Sequence, residues 1–456
     1  MTATPASPIS RQVMVTARGT ISFTGQEWRV LLPLVLAGFF ETYDTGLLTL
    51  AAPVLASGLG VGIATFGVGV ALIRLASLAS VPVLRQADRW GRRLLLVVSL
   101  GVFTLATGMT ALAAGLAAFV LLQMVARVFL ATESALASLV IAEELRPDRR
   151  GAGLSVLGVV SGLGFGAVGG LLLVVPHTPL DWRLFYVAAL LPLGIVAYLR
   201  RNLRETRAFL VARAANRVQP SLWPRVGRAH RRTLVRTLAL VSAFGLVQTT
   251  GFFYASDLAQ NTYGWSGRFT IIVLLAAVFG VMGFFLGGRV SDLVGRKPMV
   301  AVAIGLAAAG TVLMFTQVRG LFAPGFFLAA AGGACFIAVT LAYLAELFPT
   351  EIRATLTAFA VACQVAAGSL GLAVVGGLSG VVSPSLLMVI LGGALLASLL
   401  LLRGLPEVRG CDLICDGASE PPREGAGASE PPREGAGERP SSRLRPQGAR
   451  RATASS

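Results

Sequence analysis

Leu84-Arg85-Gln86-Ala87-Asp88-Arg89-Trp90-Gly91-Arg92-Arg93 lies between two long apolar runs. Gly288-Arg289-Val290-Ser291-Asp292-Leu293-Val294-Gly295-Arg296-Lys297 lies in the same setting in the second half of the chain. Both contain Asp-x-x-Gly-Arg followed by a second basic residue. Glycine permits a tight turn, and an acid with a basic pair can pin that turn through ion pairs at a water interface. One charged loop between apolar segments occurs in any membrane protein. Two copies at matching places predict a duplicated architecture.

Composition points the same way. Of 456 residues, 55% are hydrophobic and 13% charged, and mean hydropathy is +0.75, whereas soluble domains carry roughly 25% charged residues. Such a chain cannot cover a soluble surface. The formal charge of +17 would suit nucleic acid, but the arginines flank apolar runs and build no basic domain. Retention of loops on one side of a bilayer explains them better, so no nucleic-acid partner is expected. Cys335 and Cys363 fall in apolar runs, and Cys411 and Cys415 in a polar tail. They form no disulfide framework, and no metal site is expected.

Residues 1–29 are polar and lack the short apolar core and cleavage site of a signal peptide. Apolar runs follow at 30–56, 63–84, 94–114, 117–142, 152–175 and 183–199. After a basic stretch come 234–257, 269–290, 299–318, 321–345, 355–382 and 384–402. As helices these can cross a hydrocarbon layer of about 30 Å. The expected fold is an all-α integral membrane protein with twelve transmembrane helices in two pseudo-symmetric six-helix bundles. Its expected parts are a cytoplasmic segment 1–29, a first bundle 30–201, a basic linker 202–233, a second bundle 234–403 and a disordered cytoplasmic tail 404–456. The tail repeats Gly417–Ala426 directly as Gly427–Ala436, a composition that cannot bury a core.

Loop charge orients the fold. Arg85, Arg89, Arg92 and Arg93 follow span two, Arg146, Arg149 and Arg150 follow span four, Arg296 and Lys297 follow span eight, and Arg353 follows span ten. The alternate loops are short and uncharged, with Arg183, Arg268 and Arg319 as exceptions near helix ends. Both termini should face the cytoplasm, with the chain multi-pass in the inner (plasma) membrane. The arginines of the linker either hold this topology or meet anionic lipid along amphipathic surface helices.

A second duplicated loop accompanies the first. Glu144-Leu145-Arg146-Pro147-Asp148-Arg149-Arg150-Gly151 answers Glu346-Leu347-Phe348-Pro349-Thr350-Glu351-Ile352-Arg353. On these paired loops the chain resembles the major facilitator superfamily, over nearly its whole length to about Leu405. Leu84 stands where that family usually has Gly; the second copy keeps Gly288. The resemblance implies a cytoplasmic gate built from Asp88, Gly91, Arg92, Arg93 and Glu144 in one half. Asp292, Gly295, Arg296, Lys297, Glu346 and Arg353 would form it in the other. Surface ion pairs are each worth roughly 0–1 kcal/mol. A network that forms in only one conformation still biases a two-state equilibrium.

Ionisable groups inside the spans mark the chemistry, because a charge at bilayer depth costs at least roughly 2.5 kcal/mol. Span one carries Glu41 and Asp44, three residues apart and so neighbours on a helix surface; span two carries Arg74, and span four Arg127 and Glu133. Two acids and two bases can form a neutral buried network facing a water-filled cavity. Tyr43-Asp44-Thr45-Gly46 resembles span one of proton-coupled sugar porters and metabolite symporters. There the Asp titrates and pairs with an Arg of span four, here Arg127. That resemblance gives Asp44, Arg127 and Glu41 a proton-coupling role; a permanent ion pair that only fixes packing is the alternative.

Span seven, Val247-Gln248-Thr249-Thr250-Gly251-Phe252-Phe253-Tyr254, keeps a Gln, the Gly and one Tyr of the sugar-porter stretch. It lacks the second Gln, the Asn and the second Tyr. The segment 198–209 after span six resembles that of metabolite symporters. With Arg74 and Arg127 available to a carboxylate, a small organic anion is favoured over a sugar. Arg74, Glu133, Gln248, Tyr254 and Gln364 are the candidate substrate contacts, although polar residues that merely join helices would look the same.

Glycines in span five (158–166) and Gly368 and Gly371 in span eleven predict close helix approach between bundles. Leu163 follows Gly162 where family exporters have Pro, which disfavours a drug/proton antiporter. No Gly-x-x-x-x-Gly-Lys-Ser/Thr loop occurs, and His177 and His230 stand apart, so ATP-driven transport and enzymatic chemistry are not expected, nor any cofactor. The expectation is therefore a monomeric carrier embedded in the lipid bilayer, importing a small organic solute with protons by alternating access. A proton-driven exporter is the rival, and a non-transporting membrane sensor a more distant one.

Overall fold

The computed structural model describes residues 23–84, 86, 90–145, 150–200, 228–347 and 350–407. Twelve long helices carry the fold: α1 Gly25–Leu50, α2 Ile63–Ala76, α3 Arg92–Thr110, α4 Leu116–Glu144, α5 Arg150–Val174 and α6 Arg183–Arg200. Then come α7 Arg228–Asp257, α8 Ser266–Val294, α9 Arg296–Phe315, α10 Arg319–Leu347, α11 Thr350–Leu378 and α12 Pro384–Ala397. Short turns prolong α2 to Leu84, α7 to Thr262 and α12 to Leu402. Eleven of these are long and apolar enough to cross a membrane; α6, of 18 residues, completes the twelve. Among the described residues there is no strand.

Local chemistry explains the ends of several elements. Thr24 caps α1: its hydroxyl accepts from Glu27 N, and the Glu27 carboxylate accepts from Thr24 N at 2.8 Å. This reciprocal pair satisfies donors that a helix start otherwise leaves open. Gly91 and Gly295 precede α3 and α9 with φ of +99° and +118° and ψ of 154° and 157°. The glycines that close the two Asp-x-x-Gly-Arg loops thus share one backbone conformation, in a region essentially reserved for glycine.

The packing is duplicated as well. In the first half α1 lies against α4 and α5, and α3 against α4 and α6; in the second, α7 lies against α11, and α9 against α10 and α12. Between halves, α2 meets α11 and α5 meets α8 crosswise, while α1 meets α7. This is the pattern of two like units about a pseudo-two-fold axis. Large side chains such as Leu105 and Phe285, 69% and 61% exposed, cover the outside, as lipid contact requires and water does not.

Glycine placement refines the expectation. Gly158, Gly162, Gly166 and Gly169 of α5 face Phe284, Val281, Leu274 and Val273 of α8, across the halves. Gly368 and Gly371 of α11 instead sit against Thr249 and Thr250 of α7, so they serve packing within the second half. Gly164 does the same in the first half: a Cβ there would run into Thr42 and the α1 backbone. At the ends of α1 and α7 remote from the Asp-x-x-Gly-Arg loops, two hydrogen bonds join the halves. Ser256 Oγ donates to Thr49 O at 2.7 Å, and Gln260 Nε2 to Leu50 O at 2.9 Å.

Two expected boundaries shift. Helix α7 begins at Arg228, inside the stretch read as linker. Residues 404–407, read as the start of the tail, are bonded to the second half, as described below; the rest of the tail, the remainder of the linker and most of segment 1–29 lie outside the described residues.

Candidate functional site

The intramembrane charges converge from three helices. Arg127 on α4 donates from Nη1 to Asp44 Oδ2 at 3.3 Å and to Thr45 Oγ1 at 3.0 Å. Asp44 and Arg127 are only 4% and 8% exposed. A pair so buried needs its hydrogen bonds, because each ion alone would carry a desolvation cost of several kcal/mol. Asp44 also lies within electrostatic reach of Glu41 and Arg74, and Arg74 within reach of Arg127. The Glu41 carboxylate accepts from Ser134 Oγ on α4. Threonine hydroxyls along α1 return to their own backbone, Thr45 to Glu41 O at 2.8 Å and Thr49 to Thr45 O at 2.7 Å. The helix thereby satisfies the hydroxyl donors, which leaves Thr45 Oγ1 free to accept from Arg127.

Arg74 reaches across the halves and donates from Nη2 to Thr249 Oγ1 of α7 at 3.2 Å. The Nε atoms of Arg74 and Arg127 are buried and have no hydrogen-bond partner. A guanidinium offers five donors in a planar fork. Spare donors on these two forks, one buried and one part-buried, are suited to a planar carboxylate.

The other candidates spread out. Glu133 is buried on α4 at 1% exposure. Gln248 donates from Nε2 to Ala329 O on α10 at 3.0 Å, a helix-joining bond, while its Oε1 has no partner. The hydroxyl of Tyr254 is likewise buried without a partner, beside Gly67 of α2 and Gly376 of α11. Gln364 packs on Gly245 of α7. Thr45, Ser134 and Thr249, which complete the charged cluster, carry no charge of their own and leave no mark in the sequence.

At the loop end of the second half, Arg296 grips Glu346 through Nε at 3.1 Å and Nη2 at 2.6 Å, and donates from Nη1 to Ser291 Oγ at 2.6 Å. This ties the start of α9 to the end of α10 within one half. Glu407, missed by the sequence reading, caps α9: its carboxylate accepts from Arg296 N at 2.8 Å and Lys297 N at 3.2 Å. Lys297 Nζ donates to Leu405 O at 3.0 Å, Tyr343 OH to Pro406 O at 2.7 Å and Arg236 Nη1 to Gly404 O at 2.7 Å. The only available signal was position, an acid standing directly after the last apolar run. In the first half, Arg92 and Arg93 open α3 and Glu144 closes α4. Asp88 and the side chains of Asp292 and Arg353 lie outside the described residues. Among the described residues, no group of three or more His, Cys, Asp or Glu is placed to hold a metal ion.

Paired glycine turns, crosswise helices and an intramembrane ion pair agree with the family model described as Major Facilitator Superfamily, which matches residues 34–292 and 271–412. The chain belongs to this superfamily. It is thus a multi-pass membrane transporter of small solutes. A relative named "Probable 4-methylmuconolactone transporter", from Cupriavidus pinatubonensis, is 25% identical over 62% of this chain and 68% of its own length. The proline/betaine transporter of Salmonella typhimurium is 28% identical over 38% of this chain and 37% of its own. Among solved superfamily structures, a D-xylose-proton symporter superposes with a TM-score of 0.71 at 19% identity, covering 84% of this chain and 99% of that one.

Proposed function

We propose that this chain imports a small organic anion together with a proton. One observation carries the reading: the buried Asp44–Arg127 pair, 3.3 Å apart, stands beside Arg74, whose fork bridges the halves with donors to spare. A solute carboxylate would bind Arg74 in place of the Thr249 hydroxyl and draw Arg127 toward itself. Asp44, left in an apolar interior without its counter-charge, would then be neutral only with a proton bound. Loading of solute and loading of proton are thereby linked.

The two six-helix halves, 30–201 and 234–403, act as the rocking units of alternating access, and one chain suffices. The loops bearing Arg92, Arg93, Arg296 and Lys297 face the cytoplasm, as do both termini, in the inner membrane. In this reading the bonds of Ser256 and Gln260 close the outer side, and the Arg296–Glu346–Glu407 cluster stiffens the inner rim of the second half. Relatives named for a lactone and for proline and betaine, and the shared fold of a xylose–proton symporter, support a small metabolite as cargo.

The test is uptake into proteoliposomes under an imposed proton gradient, with the solute first found by thermal-shift screening of organic acids, sugars and amines. Asp44→Asn should abolish uphill accumulation yet leave solute exchange. Accumulation at the parent level in Asp44→Asn would remove Asp44 from the coupling. Proton-driven loading of everted vesicles would reverse the assigned direction.

A further inference from the structure

We infer that a groove between the starts of α8 and α10 binds the head group of an anionic phospholipid. The groove has a volume of about 380 Å³ and is lined by Trp265, Arg268, Ile271, Ile272, Arg319 and Ala323. It lies at the face opposite the Asp-x-x-Gly-Arg loops, where the chain is otherwise nearly free of cationic residues.

Three arginines break that pattern, and two of them, Arg268 and Arg319, line the groove. Arg183 lies over the Trp182 ring at 4.7 Å. Arg319 rests over Tyr263 at 5.4 Å, which leaves its hydrogen-bonding fork unused. Arg268 is exposed and enters no hydrogen bond or ion pair among the described residues. Two exposed guanidiniums on one groove offer an anion donors that otherwise meet only water.

The groove adds two further attractions of the same sign. Helix α8 starts beside it without a side-chain cap, and α10 starts beside it at Arg319, so the positive ends of two helix dipoles lie near the groove. Below this positive rim the wall turns apolar, with Ile271 57% exposed. Trp265, directly before the first residue of α8, has the aromatic character typical of residues at the head-group level. A phosphate above and an acyl chain below match both parts; a free anion would use only the upper part.

The experiment uses the purified full-length chain in neutral detergent. Thermal unfolding is followed with added phosphatidylglycerol, phosphatidylcholine or inorganic phosphate, and native mass spectrometry counts retained lipids. Phosphatidylglycerol should raise the midpoint by several degrees and the other two should not. In Arg268→Gln/Arg319→Gln the shift should fall by at least half, with one fewer phosphatidylglycerol retained. An unchanged shift and lipid count in that variant would overturn the assignment, placing the lipid effect elsewhere. An equal shift with inorganic phosphate would overturn it in favour of a free-anion site, and an equal shift with phosphatidylcholine would remove the charge argument. Should the double variant not fold, Arg268→Gln alone decides: one lipid lost supports the site, none lost refutes it.

Discussion

Arg74 of α2 and Thr249 of α7, 175 residues apart in sequence, meet at 3.2 Å and form a hydrogen bond that joins the two halves in mid-membrane. The donor is charged and part-buried, and its buried Nε already lacks a partner. Removing the acceptor should cost about 1.5–3 kcal/mol. Thr249→Val should therefore lower the unfolding midpoint in detergent, whereas Thr249→Ser, which keeps the hydroxyl, should stay near the parent.

The ion pair between Asp44 and Arg127 should behave as a unit. Arg127→Gln leaves a buried carboxylate uncompensated and should destabilise by about 3–5 kcal/mol. Adding Asp44→Asn should recover much of that loss. A double-mutant cycle on unfolding free energies checks the coupling, and strict additivity would deny it.

Gly91 and Gly295 hold matching backbone angles in the two loops, so equal substitutions should have similar backbone costs. Alanine at either site should cost about 1–3 kcal/mol from backbone strain alone. In Gly295→Ala the new methyl would also sit 3.1 Å from the Glu407 carboxylate. Thermal melts of both single variants test the cost.

Glu407 ties the end of the described chain to the start of α9. Loss of its cap in Glu407→Ala should cost about 0.5–2 kcal/mol. A chain ended after Val408 should melt like the parent, while one ended after Arg403, which also loses the bonds of Gly404, Leu405 and Pro406, should melt lower. Equal midpoints for the two truncations would show that the strap adds no stability.

The architecture was legible because its signals are local and repeated. Long apolar runs, two Asp-x-x-Gly-Arg turns and one-sided arginines fix spans and duplication without knowledge of contacts. Asp44, Arg74 and Arg127 also stood out, since a charge inside an apolar run is conspicuous. Their neutral partners did not. Thr45, Ser134 and Thr249 are ordinary helix residues whose importance depends on what crosses them, and that is set by helix rotation and tilt. Glycine roles in span eleven went the same way: Gly368 and Gly371 signal a close approach, but not whether the neighbour is α7 or the other half. Glu407 was hidden by a composition change that begins within a few residues of it.

The flank of α5 that meets α8 has a consequence for how such a carrier moves. With Gly158, Gly162, Gly166 and Gly169 presented to bulky α8 side chains, one surface is smooth where its counterpart is rough. Each glycine leaves a gap that an α8 side chain approaches, so side chains added there one methyl at a time would act as graded brakes on whatever sliding of α5 past α8 the proposed transport requires.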